Sequence, residues 1–385
     1  MAVRSCALEH PAFLEMLQHY NTPGIHILEC REKGIKTVGK AGFGVCDELI
    51  LAAGMESAGL RSAFRSPEDS AGQYLEYAFT ERGKNLFCLL ADGGGSVPDY
   101  VAFADSGDVE NRLYYYLREL KRSEPERRMP ELYLVDWLFS RHMTYQNWNE
   151  KALGRFASQL EEWSGNRITG NGISSAIALY NRQYAAISEI LRQRTAETPR
   201  VTGCEALVII GAKDHMGKKR YTQCVEQLAE DVRKWPAAEG TKLFFSGSIQ
   251  QNTSIYEELE SKGFLVCGED HDAGMRAFER PIRTELPPLT ALVDCCMLRS
   301  PTAQKGLVKE RVVSLLEQIE RVGAACVLFW TDRYDEAASW EYPAQKAALE
   351  ARGTPYAIFA GQPYPPSFDG QFREAITALK HCVEG

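Results

Sequence analysis

The densest group of side chains able to do chemistry lies in GEDHDAGMRAF (268–278), where Glu269, Asp270, His271 and Asp272 are consecutive and Arg276 follows four residues on. An imidazole titrates near neutrality, so His271 is the natural general acid or base of this group. A solvated charged loop has the same composition. Hard metal ions collect several oxygen ligands from separate segments, so this one loop does not by itself make a metal site. A second group sits in GKAGFGVCDELILAAG (39–54), where Gly39, Gly42 and Gly44 precede Cys46, Asp47 and Glu48 at the start of a helix. A thiol at a helix start tends towards a lowered pKa, which makes Cys46 the first candidate for a reactive cysteine. An ordinary packed cysteine is the blander reading, and Asp47 is explained by the helix dipole alone. Two small-residue loops complete the set. DSGD (105–108), with Ser106, suits a helix cap or an anion contact, and SGSIQQN (246–252) offers Ser246, Gly247, Ser248 and their amides to a substrate.

Each of these loops follows an apolar run that reads as a strand. Residues 35–39, 100–104 and 132–135 are strand-like in the first third, with an amphipathic stretch at 111–120 between them. Residues 148–193 carry helical patterns only, with Ser174 or Asn171 as a cap for the second long helix. After Pro199 the alternation resumes, with strands expected at 242–248, 264–270, 326–330 and 356–361 and a helix at 309–323. The run LVII (207–210) is apolar, and a helix remains open there. Strand, turn and helix in alternation predict an α/β fold. The expected architecture is two Rossmann-like parallel-sheet domains, residues 1–147 and 199–385, joined by a helical segment at 148–198. Ligands of such sheets bind at the carboxyl ends of the strands. The loops carrying Glu48, Ser106, Ser246 and His271 are therefore expected to converge on one cleft. WLFSRHMTYQNW (137–148) is expected to pack the junction with the helical segment, or else to line an apolar pocket.

Composition narrows the partners. The 385 residues carry 44 Lys and Arg against 52 Asp and Glu, a net charge of −8. That balance lacks the basic face that nucleic acid demands. No run approaches the roughly 18 apolar residues of a membrane span, and the N-terminus lacks a signal-peptide core, so a cytoplasmic protein is expected. The 11 cysteines show no CxxC or paired zinc spacing, and most lie in apolar runs. Buried reduced thiols are the expected state.

The order of segments resembles the 2-hydroxyacyl-CoA dehydratase family, which includes the ATP-dependent benzoyl-CoA reductases. KGIKTVG with DELILAAG is similar to the family's opening strand and acidic helix. NRITGNGISSAIALYNRQYAAISEI is similar to its mid-chain helices, and KLFFSGS with GFLVCGEDHDAGMRAF to its next unit. The closing stretch, DRYDEAASWEYPAQKAALEARGTPYAIFAG with Gly370, Gln371, Arg373 and Ala375, is similar to the last unit, so the likeness spans about residues 30–380.

The resemblance implies a subunit of an oxygen-sensitive acyl-CoA dehydratase or aromatic-ring reductase of anaerobic metabolism. Such a subunit pairs with a paralogous subunit as a heterodimer and is served by an ATP-hydrolysing activator protein. It also implies a [4Fe-4S] cluster on three cysteines. The matching positions are Thr80, Gly107 and Asp272. Such clusters strongly prefer thiolates, so no cofactor is expected in this chain and the cluster is expected in the partner. The thiols of Cys46, Cys88 and Cys267 are the alternative ligands for a shifted cluster. Glu48 matches the family's acidic position beside the acyl-CoA substrate, while His271 and Asp272 take the place the cluster fills elsewhere. These three are the expected catalytic groups, with Cys46, Ser106, Ser246, Gly247 and Ser248 on the substrate. The competing expectation is a cluster-free binding or scaffold protein of the same fold.

Overall fold

The computed structural model describes residues 3–61, 71–93, 96–139 and 143–384. Two four-stranded sheets organise the chain, and every strand pair in them is parallel. The first comprises β1 (Thr37–Ala41), β2 (Glu56–Gly59), β3 (Tyr100–Ala104) and β4 (Glu131–Val135) in the order β2-β1-β3-β4. The second comprises β5 (Thr241–Gly247), β6 (Phe264–Glu269), β7 (Cys326–Asp332) and β8 (Tyr356–Gln362) in the order β6-β5-β7-β8. The two orders are the same pattern used twice. In each sheet the chain steps outward from its first strand, returns, and continues on the other side. A crevice therefore opens between the carboxyl ends of β1 and β3, and another between those of β5 and β7.

Helices cover both faces of both sheets, which is why the strands read as nearly continuous apolar runs. Side chains alternate along β3: Val101 and Phe103 pack with Phe87, Leu90, Leu113 and Leu117, while Ala102 and Ala104 face a larger core. β7 does the same, with Val327 and Phe329 against Leu315, Ile319 and Leu349, and Leu328 and Trp330 turned into the large core. That large core is shared by the inner faces of the two sheets. Between them lie the helices Pro11–Asn21, Met143–Ser164, Gly170–Thr195, Gly203–Gly211 and Lys218–Asp231.

The differences from the sequence reading are local and have physical causes. β2, ESAG, was not expected, because it has no apolar run and a pairing partner on one side only. LVII lies in the helix Gly203–Gly211, which is buried around its whole circumference and so shows no amphipathic period. The helix Gly170–Thr195 is capped by Thr169, whose side chain accepts from the Gly172 amide, and not by Asn171 or Ser174. Of the stretch 137–148, Trp137 donates Nε1 to Gly44 O at 2.8 Å and so packs the β1 turn. Residues 140–142 of that stretch lie outside the described residues.

The helix Gly170–Thr195 is fixed to β6 by a buried ion pair. Arg194 Nη2 and Nη1 donate to Glu269 Oε2 and Oε1 at 2.6 and 3.0 Å, both side chains being 1% exposed. The same guanidinium donates to Val266 O at 2.9 and 3.0 Å. Removing one member of such a pair strands the other charge in the interior, at a cost of about 3–5 kcal/mol. Arg194→Met is accordingly expected to lower unfolding stability by about that much in urea titration. Adding Glu269→Met should recover most of the loss, since a matched apolar pair is often near neutral; a double variant no more stable than the single one contradicts this account.

Candidate functional site

The carboxyl ends of both sheets open into one cavity of about 270 Å³. The turn after β1, the loop after β3, and the loops after β5, β6 and β7 all contribute to its wall. Of the expected site residues, Cys46, Glu48, Ser106, Gly247, Ser248, His271 and Asp272 line it. Ser246 lies just behind, donating its Oγ to Asp270 Oδ2 at 2.8 Å.

The β1 turn is shaped by close approach. Gly42 has φ +84°, and a Cβ there would stand 2.3 Å from Ser106 Oγ. Ser106 Oγ accepts from the Phe43 amide at 2.9 Å, which ties the turn to the β3 loop. Gly247 is under the same constraint at β5: its φ is +128°, and a Cβ would meet Trp330 O at 2.0 Å. Glycine is the residue that tolerates such a backbone.

Below the turn, Asp47 is the hub of a buried charge network rather than a simple dipole partner. Its carboxylate meets Lys40 Nζ at 2.7 Å, Lys213 Nζ at 3.3 Å and Lys218 Nζ at 3.9 Å, and accepts Ser57 Oγ at 2.6 Å. Lys40 also donates to Asp214 at 2.7 Å. Burial opposes ionisation of Asp47, but Lys218, Lys40 and Lys213 outweigh it and hold the carboxyl well below the usual range. Glu48, next in sequence, is buried, and the charges of Lys213 and Arg299 compensate that burial only in part. Burial first, and the charge of Asp47 second, push its pKa above the usual carboxylate range.

Cys46 is buried and shares a hydrogen bond with Cys296. Its hydrogen bond with Cys296, followed by burial, raises its pKa well above the usual thiol value. The same hydrogen bond lowers that of Cys296, with Arg299 helping. Cys295, Cys296 and Arg299 all line the cavity. They come from the helix Pro288–Met297 and the residues after it, so no strand-end rule pointed to them. The Arg299 guanidinium stacks on Phe43 at 4.1 Å.

On the β6 side, Asp270 accepts from Ser246 Oγ, from the Gly247 amide at 3.1 Å and from Arg311 Nη2 at 3.1 Å. Asp272 is held by Arg276 Nε at 2.8 Å. His271 is 3% exposed, and its Nε2 lies 3.0 Å from Tyr256 Oη. Burial outweighs the neighbouring Glu269, Asp270 and Asp272 and pushes the imidazole pKa down, so His271 is a neutral base at pH 7.

The sequence reading missed two carboxyls after β7. Asp332 and Asp335 line the cavity, and Ser248 Oγ donates to Asp335 Oδ2 at 2.5 Å. Burial takes Asp332 up to about 7, against a hydrogen bond from Trp330 Nε1 at 3.1 Å. Between them Tyr334 adopts φ +68°, unusual for a residue with a side chain. The rule that found the other loops applies here too, since β7 was expected and its end, TDRYD, is polar. The rim opposite is crossed by Lys305 Nζ to Asp105 Oδ1 at 2.9 Å, both partly exposed.

The positions matched to cluster cysteines do not fit an iron–sulfur cluster. Thr80 lines the cavity and caps the helix Glu81–Asp92 through its Oγ1. Gly107 has no donor, and a Cβ there would stand 2.8 Å from Glu110 Oε2. Glu110 is itself paired with Arg82 at 3.0 Å, as Asp272 is with Arg276. The alternative thiols do not regroup: Cys46, Cys88 and Cys267 belong to three different cores. Among the described residues no group of three or more His, Cys, Asp or Glu could hold a metal ion. No helix among them is long and apolar enough to cross a membrane.

Comparison with known proteins gives one consistent family. The family model for 2-hydroxyglutaryl-CoA dehydratase, D-component, matches residues 43–381. The beta subunit of (R)-2-hydroxyglutaryl-CoA dehydratase of Acidaminococcus fermentans is 23% identical over 383 residues, covering 97% of this chain and 99% of that one. The beta subunit of (R)-phenyllactyl-CoA dehydratase from Clostridium sporogenes is 21% identical, covering 58% and 60% of the two chains. A subunit of the benzoyl-CoA reductase of Thauera aromatica is 21% identical, covering 55% and 57%.

Asp332 makes a pH signature. In the unfolded chain its carboxyl ionises near 3.8, and in the folded chain near 7. The unfolded state therefore releases its proton first as pH rises, and folding stability falls between these values. Asp332→Asn is expected to match the natural protein at pH 3.5. At pH 8 it should be more stable by about 1–2 kcal/mol, discounted for partial exposure, as read from urea midpoints. Equal stabilities at pH 8 would show that Asp332 ionises as an ordinary carboxylate.

Proposed function

The chain belongs to the 2-hydroxyglutaryl-CoA dehydratase D-component family, and on that premise we propose that it is the cluster-lacking subunit of a heteromeric acyl-CoA enzyme. The observation that carries the reading is the meeting of Glu48 and His271 in one cavity built from the carboxyl ends of both sheets. The cavity takes an acyl group and its thioester, with the rest of coenzyme A outside. Glu48, whose pKa burial raises, donates from its protonated form to the thioester carbonyl oxygen, and His271, whose pKa burial lowers, accepts a proton from the acyl group. Asp272 is bound to Arg276 and holds the wall; Ser248 and Gly247 border the ligand from the β5 side. The relatives are themselves single subunits of dehydratases and a reductase, which supports a second, paralogous subunit as partner. In this proposal that partner carries the [4Fe-4S] cluster, an ATP-hydrolysing activator serves it, and the assembly works in the cytoplasm.

The ion pair Arg276–Asp272, at one position matched to a cluster ligand, and Arg82–Glu110, beside the matched Thr80 and Gly107, favour a second reading, a cluster-free thioester-binding protein. The two separate by experiment. Tagged protein purified anaerobically from its native source is expected to bring down a related, cysteine-rich subunit. Glu48→Ala is expected to lower the turnover of that complex by about 10²–10³-fold, the usual loss for one donor on a developing oxyanion. A homodimer without such a partner, still binding 2-hydroxyglutaryl-CoA in calorimetry, selects the second reading. A chain that binds no acyl-CoA in either form overturns both.

A further inference from the structure

His271 is placed by a chain of groups that do not themselves line the cavity. Its Nε2 is 3.0 Å from Tyr256 Oη, and the same oxygen is 3.2 Å from Glu269 Oε2. Glu269 receives two hydrogen bonds from Arg194 and one from the Met275 amide at 2.8 Å. Arg194 outweighs the cost of burial and keeps Glu269 ionised. An ionised carboxylate only accepts. Tyr256 has one proton to give, and a hydrogen bond to a buried carboxylate is stronger than one to a neutral imidazole. The phenolic proton therefore goes to Glu269, and the phenolic oxygen accepts from Nε2–H of His271. The reverse arrangement sets a lone pair of Tyr256 against the carboxylate at 3.2 Å and is disfavoured.

The other nitrogen is then unprotonated. Nδ1 of His271 is buried and has no hydrogen-bond partner among the described residues. A buried polar atom of this kind asks for an explanation. We infer that Arg194, Glu269 and Tyr256 form a relay that locks His271 as the Nε2–H tautomer and leaves Nδ1 as a built acceptor for an O–H or N–H donor of the ligand. Tyr256 is a positioning residue, acting through His271. Only the identity of the ligand, a hydroxyl-bearing acyl thioester, rests on the proposed function; the tautomer does not.

Long-range proton–nitrogen NMR of histidine-labelled protein tests the relay without any substrate, with His271→Gln assigning the signal. The natural chain is expected to show Nε2–H and a bare Nδ1. Tyr256→Phe, which keeps the buried ring, is expected to give mixed tautomers. An Nδ1–H tautomer or an imidazolium in the natural chain overturns the inference whatever the variant does, as does an unchanged spectrum in a folded Tyr256→Phe. In calorimetry, 2-hydroxyglutaryl-CoA is expected to bind at least about tenfold tighter than glutaryl-CoA, because a built polar site rejects a ligand lacking its partner. Tyr256→Phe should erase that preference. Equal binding of the two thioesters overturns the acceptor subsite. Binding of neither, with the tautomer as expected, upholds the relay and overturns the thioester reading instead.

Discussion

A parallel sheet buried on both faces leaves its chain few places for polar groups. Its crossovers are helices, its strands are apolar, and the backbone must surface at the strand ends. Here that constraint operates twice, in sheets of identical strand order, and the two sets of carboxyl ends face a common space. The loops that carry Glu48, Ser106, Ser248, His271 and Asp332 meet there as a result. The glycines at 42 and 247 follow from the same crowding, since their neighbours come closer than a Cβ allows.

The electrostatics divide the site into two kinds of acid. Asp47, Asp270 and Glu269 are tied to cations, and for Asp47 and Glu269 those cations outweigh burial and hold the pKa down. Glu48, Asp332 and Asp335 are buried with weaker compensation and are pushed towards their neutral forms. Charge that is fixed serves position; charge that is close to balance serves proton transfer. Both kinds share the cavity wall, where Asp47 and Asp270 stand beside Glu48, Asp332 and Asp335, and only Glu269 lies behind it.

Much of this was legible in the sequence, for reasons that can be named. The strands 100–104, 242–248, 264–270 and 326–330 announce themselves as apolar runs ending in small or polar residues, and that pattern carries Ser106, Ser248 and His271 to the site. β2 was illegible because a short edge strand needs no apolar run. The Cys46–Cys296 contact was illegible because nothing local relates a turn to a helix far along the chain. Asp332 and Asp335 were legible, for their strand is recognisable and its polar end obeys the same rule as the others. For Cys46 a helix-start argument is incomplete, because it leaves out the thiol of Cys296 that packs against it.

The lysine network and the rim pair give the molecule unequal seams. At the cavity wall, Lys40 from the first sheet and Asp47 from the helix after it interlock with Lys213, Asp214 and Lys218 from the helical layer, where only Asp214 is appreciably exposed. Across the rim, Lys305 and Asp105 meet where solvent can compete, and a pair of that kind adds about 0–1 kcal/mol. Added salt therefore reaches the Lys305–Asp105 pair more readily than it reaches the three lysines of the network, which are 2–14% exposed.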